Sequence, residues 1–136
     1  MAKRREGWSI GKESRIISGD IKNETFRTLK DENWESHPLV KEVLLDFIIT
    51  KKDNESGVTC LFVKIPKGKE IPEHFHELSN DIIVPLEGKA KIWIKGIDEF
   101  EMRRGVVINV PKGVKHKIFD VTEDFFAFDV FNPGIV

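Results

Sequence analysis

The sequence has almost no cysteine and no long run of apolar residues. Cys60 is the only cysteine among 136 residues, so no disulfide can form within the chain, as is usual in a reducing compartment. No apolar stretch reaches the roughly 18 residues of a membrane-spanning helix, and no apolar core of a signal peptide follows Met1. We therefore expect a soluble, cytoplasmic protein with no membrane partner.

Neither sign of charge is in excess. The chain has 22 Lys and Arg residues against 23 Asp and Glu residues, a formal net charge of −1, and the two signs are interspersed. Chains that bind nucleic acid usually carry a basic patch, so we expect no nucleic-acid partner. The length suits one domain with a core large enough to fold alone.

Short apolar runs separated by glycines and polar turns make up most of the sequence after residue 38. Residues 39–51 and 58–65 are rich in β-formers, and the polar segment between them predicts a hairpin. Similar short runs continue to Phe131, with turn signals at three glycines, and they favour a closed sandwich or barrel. Cys60 lies in the second run, where we predict a small core residue and not a nucleophile.

Residues 1–38 show no regular pattern. Phe26, Leu29 and Trp34 fit either a short helix or an irregular arm. We therefore divide the chain into an N-terminal arm, residues 1–38, and a β-domain, residues 39–136. His37 in the arm has no partner at metal-ligand spacing, and we predict a surface or loop histidine.

The other three histidines lie in two short segments. His74 and His76 are two residues apart in an extended stretch, so both side chains should leave one face of a strand, about 6.6 Å apart. Pro111 and Gly113 predict a tight turn, and His116 follows at the start of another strand. Three imidazoles at these spacings indicate one metal site.

A carboxylate can complete this predicted site. Asp81 precedes a β-branched run, and a reversal of the chain at residues 77–80 would return its side chain toward the histidines. The alternative is a turn residue that accepts hydrogen bonds from nearby backbone N–H groups. Glu77 is the other possible carboxylate ligand, if the turn twists.

Residues 68–88 and 105–120 resemble the two motifs of the cupin superfamily, G-x5-H-x-H-x(3,4)-E-x6-G and G-x5-P-x-G-x2-H-x3-N. Every glycine, the proline and the three histidines are in register. The resemblance implies an all-β fold, the double-stranded β-helix or jelly-roll barrel of small single-domain, RmlC-like cupins. It also implies metal binding by His74, His76 and His116, and a homodimer with the N-terminal arm at the interface.

Two positions depart from the cupin motifs. Asp81 stands in place of the usual glutamate, and its shorter side chain leaves open whether it binds an ion directly or through a water. Asp120 stands in place of the usual asparagine.

Three imidazoles and one carboxylate define the expected cofactor, one divalent transition-metal ion. This donor set suits iron, manganese, nickel, cobalt, copper or zinc alike. No cysteine is among the ligands, which disfavours a structural zinc site, and a six-coordinate ion would keep open positions, as catalytic sites do.

Strand alternation predicts the wall of the pocket. If His116 points inward, Ile118 and Asp120 follow it, and the last strand presents one of two aromatic faces. We assign the tentative pocket to Ile118, Asp120, Phe126 and Phe128. The opposite face, which is equally aromatic, carries Phe125, Ala127, Asp129 and Phe131.

An apolar pocket around an open metal suits a small oxygenated ligand such as an enol, a diketone or a carboxylate. We find no lysine or histidine base beyond the ligands, which favours chemistry done by the metal. The leading hypothesis is a small metal-dependent enzyme of oxygenase type acting on a chelating substrate. The alternatives are a metal-dependent isomerase or lyase, and a non-catalytic module that binds or senses a small molecule, because this fold hosts many chemistries.

Overall fold

The computed structural model describes residues 33–53 and 57–136 of the chain. All regular elements in these ranges are β-strands, which confirms the predicted all-β class. No helix within the described ranges is long and apolar enough to cross a membrane. The strands are β1 (Glu35–Ser36), β2 (Leu44–Ile49), β3 (Thr59–Ile65), β4 (Ile71–His74), β5 (Asn80–Ile94), β6 (Asp98–Met102), β7 (Ile108–Val110) and β8 (His116–Asn132).

The strands form one antiparallel sheet in the order β1-β2-β3-β8-β5-β6, with β4 added to β8 and β7 added to β5. Strands β2 and β3 pair directly, with Leu45 opposite Val63, so the predicted hairpin is confirmed. Because all pairings are antiparallel and the sheet curls on itself, the fold is the jelly-roll barrel that the motifs implied.

Two long strands run through both halves of the barrel. Strands β5 and β8 pair from Asn80 opposite Asn132 to Ile94 opposite His116, and their register shifts three times between Pro85 and Lys91. Irregular pairing of this kind bends and twists a sheet. The bend lets β5 pair with β7 at one end and with β6 at the other, while β8 pairs with β3 and with β4.

Gly88 lies at this bend and has a φ of 83°. A Cβ atom there would overlap the backbone carbonyl of Asp124 on the neighbouring strand. Only glycine allows both the positive φ and the close approach of the two chains.

Strand β8 contains a second irregularity, at Asp120. This exposed residue has a φ of 50°, the only positive φ at a non-glycine position among the described residues. Before it, the even-numbered residues His116 and Ile118 are buried. After it, the buried residues are odd-numbered: Val121, and every odd-numbered residue from Phe125 to Phe131. The strand therefore changes which residues face the interior.

The interior is filled with aliphatic side chains, Met102 and the rings of Phe125 and Phe131. Cys60 belongs to this buried set, and burial raises the pKa of its thiol. A raised pKa disfavours the reactive thiolate, which agrees with the prediction of a core residue.

The end of the predicted arm belongs to the sheet. Strand β1 pairs with β2 through Glu35 opposite Leu45, and the His37 N–H donates to the Val43 carbonyl at 2.8 Å. Phe26 and Leu29 lie outside the described residues, so the arm itself stays a prediction.

Candidate metal centre

The structure brings the three predicted histidine ligands together. His74 on β4 is directly opposite His116 on β8, and their ring centroids are 4.2 Å apart. The ring of His76 is 5.1 Å from that of His74 and 5.5 Å from that of His116. One nitrogen from each ring lies within 4.8 Å of the other two, so the rings surround one small volume.

His76 reaches this cluster from a loop. We predicted that His74 and His76 lie on one strand, but β4 ends at His74. The His76 carbonyl accepts a hydrogen bond of 2.7 Å from the Gly113 N–H. The Lys112 N–H donates to Asn80 Oδ1 at 2.9 Å. The predicted turn at residues 111–113 thus holds the loop that carries His76.

Backbone carbonyls orient two of the rings. The Nδ1 of His74 lies 2.8 Å from the Pro72 carbonyl, and the Nδ1 of His116 lies 3.0 Å from the Val114 carbonyl. Because a carbonyl can only accept, each Nδ1 carries the proton and each Nε2 keeps its lone pair. The Nε2 of His116 is buried without a partner. Metal-binding histidines in proteins are held in this way, so the residues fit an ion.

The histidines of the cluster are poor bases. Burial, reinforced by the neighbouring histidines, lowers the pKa of His76 and of His116 to about 4. Both rings are therefore neutral at pH 7, which is the form that binds a metal.

Asp81 lies beside two of the three rings, although the group of ligand atoms that lie within 4.8 Å of one another consists of the histidines alone. Its Oδ2 is 3.9 Å from the Nε2 of His76 and 3.8 Å from the Nε2 of His116. These distances are too long for hydrogen bonds. They suit atoms that share an ion, because ligands about 2.1 Å from one metal are at most about 4.2 Å apart. Glu77, the alternative carboxylate, is exposed and outside the cluster.

A second buried carboxyl group, which we did not assign from the sequence, contacts Asp81. In the β5–β8 register Asp81 is opposite Phe131 and Ile83 is opposite Asp129, so the two aspartates are diagonal neighbours on one face. Burial raises the pKa of both carboxyl groups, that of Asp81 to about 7, and the neighbouring carboxylate of Asp81 raises the pKa of Asp129 further. Two carboxylates side by side in a buried site repel each other, which favours a proton on one of them. The pair can therefore store a proton beside the histidines.

A cavity of about 350 Å³ opens onto this cluster. Its wall includes the three histidines, Asp81 and, as predicted, Ile118. It does not include Asp120, Phe126 or Phe128, so these three pocket assignments are wrong.

The reason is the positive φ of Asp120, because alternation counted from His116 fails beyond that residue. Asp120 faces solvent, 3.4 Å from the ammonium group of Lys91. Phe126 and Phe128 lie on the outer face, where both contact the ring of Phe62. The opposite face of the strand, which we did not assign to the pocket, lines the cavity. It carries Phe125, Ala127, Asp129 and Phe131.

His37 also lines the cavity. Its ring is half-buried and lies 6.2 Å from that of His74, measured between centroids. The loop between β1 and β2 carries it there, so the prediction of a surface or loop histidine is confirmed as a loop histidine, but its ring faces the cavity and not only solvent. Spacing along the sequence has no signal for this contact, because it depends on how β1 joins the edge of the sheet.

The family model for the cupin domain matches residues 61–131, just over half of the chain. The chain belongs to the cupin family. This match spans every residue of the histidine and carboxylate cluster.

Solved structures show the same cupin fold. KdgF from Halomonas sp. matches with a TM-score of 0.66 at 17% identity, covering 78% of this chain and 92% of that one. A predicted oxalate decarboxylase from Thermotoga maritima matches with a TM-score of 0.67 at 18% identity, covering 76% and 95%. Ectoine synthase from P. lautus matches with a TM-score of 0.65 at 18% identity, covering 79% and 72%. At these identities the likeness establishes the fold alone.

One curated relative, an uncharacterized protein of Streptomyces coelicolor, is 33% identical over 54 residues. That segment covers 40% of this cupin and half of the relative's length.

The cavity of this cupin is chemically simple. Apart from histidines and the two aspartates, the described residues of its wall are apolar. Such a wall excludes water and strengthens electrostatic interactions inside the site.

Proposed function

We propose that this cupin is a small metal-dependent enzyme that binds one divalent transition-metal ion through His74, His76 and His116, with Asp81 as the fourth ligand. The observation that carries the proposal is the buried Nε2 of His116, which has no partner and points its lone pair at a cluster of neutral rings. The donor set suits iron, manganese, nickel, cobalt, copper and zinc alike.

The proposed reaction is of the oxygenase type, on a small organic substrate that chelates through oxygen, such as an enol or a diketone. A bound ion of this kind polarises a chelating ligand and, as iron, activates dioxygen. The protein binds the apolar body of the substrate against Phe125 and Phe131, and it keeps bulk water out of the cavity.

The second candidate is a metal-dependent isomerase or lyase, and one specific observation favours it. Such reactions move a proton on the substrate, and the Asp81–Asp129 pair holds one inside the cavity. Asp129 lies beyond Asp81 from the histidines and is not one of the proposed ligands, so it can act as the acid or base.

Metal content and oxygen consumption test the two candidates. We would first measure the metals in the purified protein, then load it separately with iron(II), manganese and zinc. Each form would be mixed with small β-diketones, enediols and flavonol-like compounds. Oxygen uptake by the iron form supports the oxygenase. Turnover without oxygen uptake supports the isomerase or lyase, and tight binding without turnover by any form replaces both with a binding module.

A homodimer is the assembly that we propose for this cupin. Phe62, Phe126 and Phe128 form a half-exposed aromatic layer on the outside of the sheet, against which Trp34 packs. Apolar layers of this kind commonly mark protein interfaces. Phe128→Lys should shift the protein from dimer to monomer in sedimentation experiments. A wild-type monomer at micromolar concentration would contradict the proposal.

A further inference from the structure

The four histidines of the cavity are not held in the same way. His74 and His116 donate their Nδ1 protons to carbonyls. The Nδ1 of His37 instead accepts a hydrogen bond of 3.0 Å from the N–H of Leu39. A ring nitrogen that accepts carries no proton, so the neutral ring of His37 has its proton on Nε2. His37 is thus a donor with no lone pair left for a metal ion.

The position of His37 agrees with this difference. Its nitrogen atoms are not part of the donor cluster of the other three rings, yet the ring is in edge contact with His74 and lines the same cavity. The backbone N–H of His37 is bonded to the Val43 carbonyl at 2.8 Å. Hydrogen bonds from the backbone and from the side chain therefore fix the ring at the edge of the metal cluster.

Few other side chains in the described part of the cavity wall offer a proton to a bound oxygen. The wall contains no lysine, arginine, serine, threonine, asparagine or glutamine. Asp129 is paired with Asp81, and the Nδ1 protons of His74 and His116 are used by carbonyls. A ligand that chelates a metal through two oxygens carries negative charge on them, and a donor placed at such an oxygen stabilises that charge.

We propose that His37 is a binding residue for the small molecule held at the metal, and that its Nε2–H donates a hydrogen bond to an oxygen of that molecule. The inference rests on the proposed metal site and deepens it. It favours chelators with an anionic oxygen, such as enolates, because a fixed donor stabilises negative charge on the oxygen that it reaches.

Two substitutions separate this role from a structural one. In His37→Asn the side-chain oxygen takes the place of Nδ1 and still accepts from the Leu39 N–H, but the distal donor is lost. In His37→Gln the amide nitrogen takes the place of Nε2 and keeps the donor, but the acceptor for Leu39 is lost. A structural role predicts that Asn is the better replacement, and a binding role predicts Gln.

The probe is 2,4-pentanedione, titrated into the cobalt(II)-loaded protein and followed by the visible absorption of the cobalt. We expect His37→Asn to weaken binding by about 10- to 100-fold, the loss for a hydrogen bond to a charged acceptor, with unchanged cobalt content. His37→Gln should bind more tightly than His37→Asn. Equal affinity of His37→Asn and wild type, or Asn ranking above Gln, would overturn the role of His37 while the metal site stands.

A wild-type protein that takes up no cobalt would overturn the proposed function and this inference together.

Long-range proton–nitrogen NMR spectra of the zinc-loaded protein independently determine which nitrogen of each of the four rings carries the proton. We expect the Nε2–H tautomer for His37 and the Nδ1–H tautomer for His74 and His116. An Nδ1–H tautomer at His37 would contradict the inference directly.

Discussion

The two halves of strand β8 follow the same alternation with opposite parity. In the first half His116 and Ile118 face the cavity, and Lys117 and Phe119 lie on the other side. In the second half the odd-numbered residues from Phe125 to Phe131 face the cavity, and Phe126 and Phe128 lie on the outer face. The site is built from both halves: the first supplies a histidine, and the second supplies Asp129 and the aromatic wall.

The difference shows how far a period of two can be extended along one strand. Alternation is reliable within each half because successive side chains of an extended chain point to opposite faces. It fails between the halves because the positive φ of Asp120 turns the chain. One residue in the left-handed region reverses every assignment after it.

The largest effect on stability should come from replacing Phe125, one of two adjacent phenylalanines in the second half of β8. Phe125 is 2% exposed, and Phe125→Ala should lower the free energy of unfolding by about 3–5 kcal/mol, the usual cost for a buried phenylalanine. Phe126→Ala, on the outer face, should cost about half as much or less because water already reaches that ring. Chemical denaturation measures both. A larger loss for Phe126→Ala would mean that the parity is assigned the wrong way round.

Substitutions of His116 and its neighbour Lys117 test which side chains of the first half of β8 face the metal site. His116→Ala removes a proposed ligand, and we expect metal affinity to fall by at least about 100-fold, more than the loss of a supporting residue. Lys117→Ala should retain the metal because this side chain lies over the ring of Phe119. Competition with a chromophoric chelator measures both affinities. Wild-type affinity in His116→Ala would remove the histidine from the ligand set.

Asp81 connects the histidines of one half with Asp129 of the other. Asp81→Asn should weaken metal binding by about 10- to 100-fold at pH 8. The pKa of Asp81 is raised to about 7, mainly by burial, so below that pH a proton competes with the ion. Wild-type affinity should therefore fall as the pH decreases from 8 to 6.

Asp81→Asn has no such proton to displace. Its affinity should change less than that of the wild type between pH 8 and pH 6, because the pKa of each histidine ligand is lowered, that of His76 and of His116 to about 4. Parallel pH profiles of wild type and Asp81→Asn, measured by the same chelator competition, would contradict direct binding by Asp81.

The smallest effect concerns the residue that separates the halves. Asp120→Gly should change stability by less than about 1 kcal/mol, since glycine accepts a φ of 50° and the exposed ion pair with Lys91 contributes little. Asp120→Val should cost about 1–2 kcal/mol, because a β-branched residue is strained in the left-handed region. Thermal unfolding compares the two. A more stable Val variant would show that the chain does not need this conformation.

Much of the fold and the centre of the site could be predicted from sequence. Glycines and β-branched runs indicated the strands, and the register of two short motifs indicated the cupin barrel, which the family match and the solved structures confirm. The same motifs brought His74, His76 and His116 into one cluster. These predictions succeed because they depend on local spacing, which strand geometry converts directly into position.

By itself the sequence determined the strands, the barrel and the three histidines that meet in it. Only the tertiary structure decided which face of β8 lines the cavity, that Asp129 pairs with Asp81, and that His37 joins the wall. Each of these depends on contacts between residues far apart in the chain: the register of β5 against β8, and the pairing of β1 with the edge of the sheet. Short-range spacing has no information on such contacts, and one left-handed residue at Asp120 was enough to reverse the alternation on which the prediction of the wall depended.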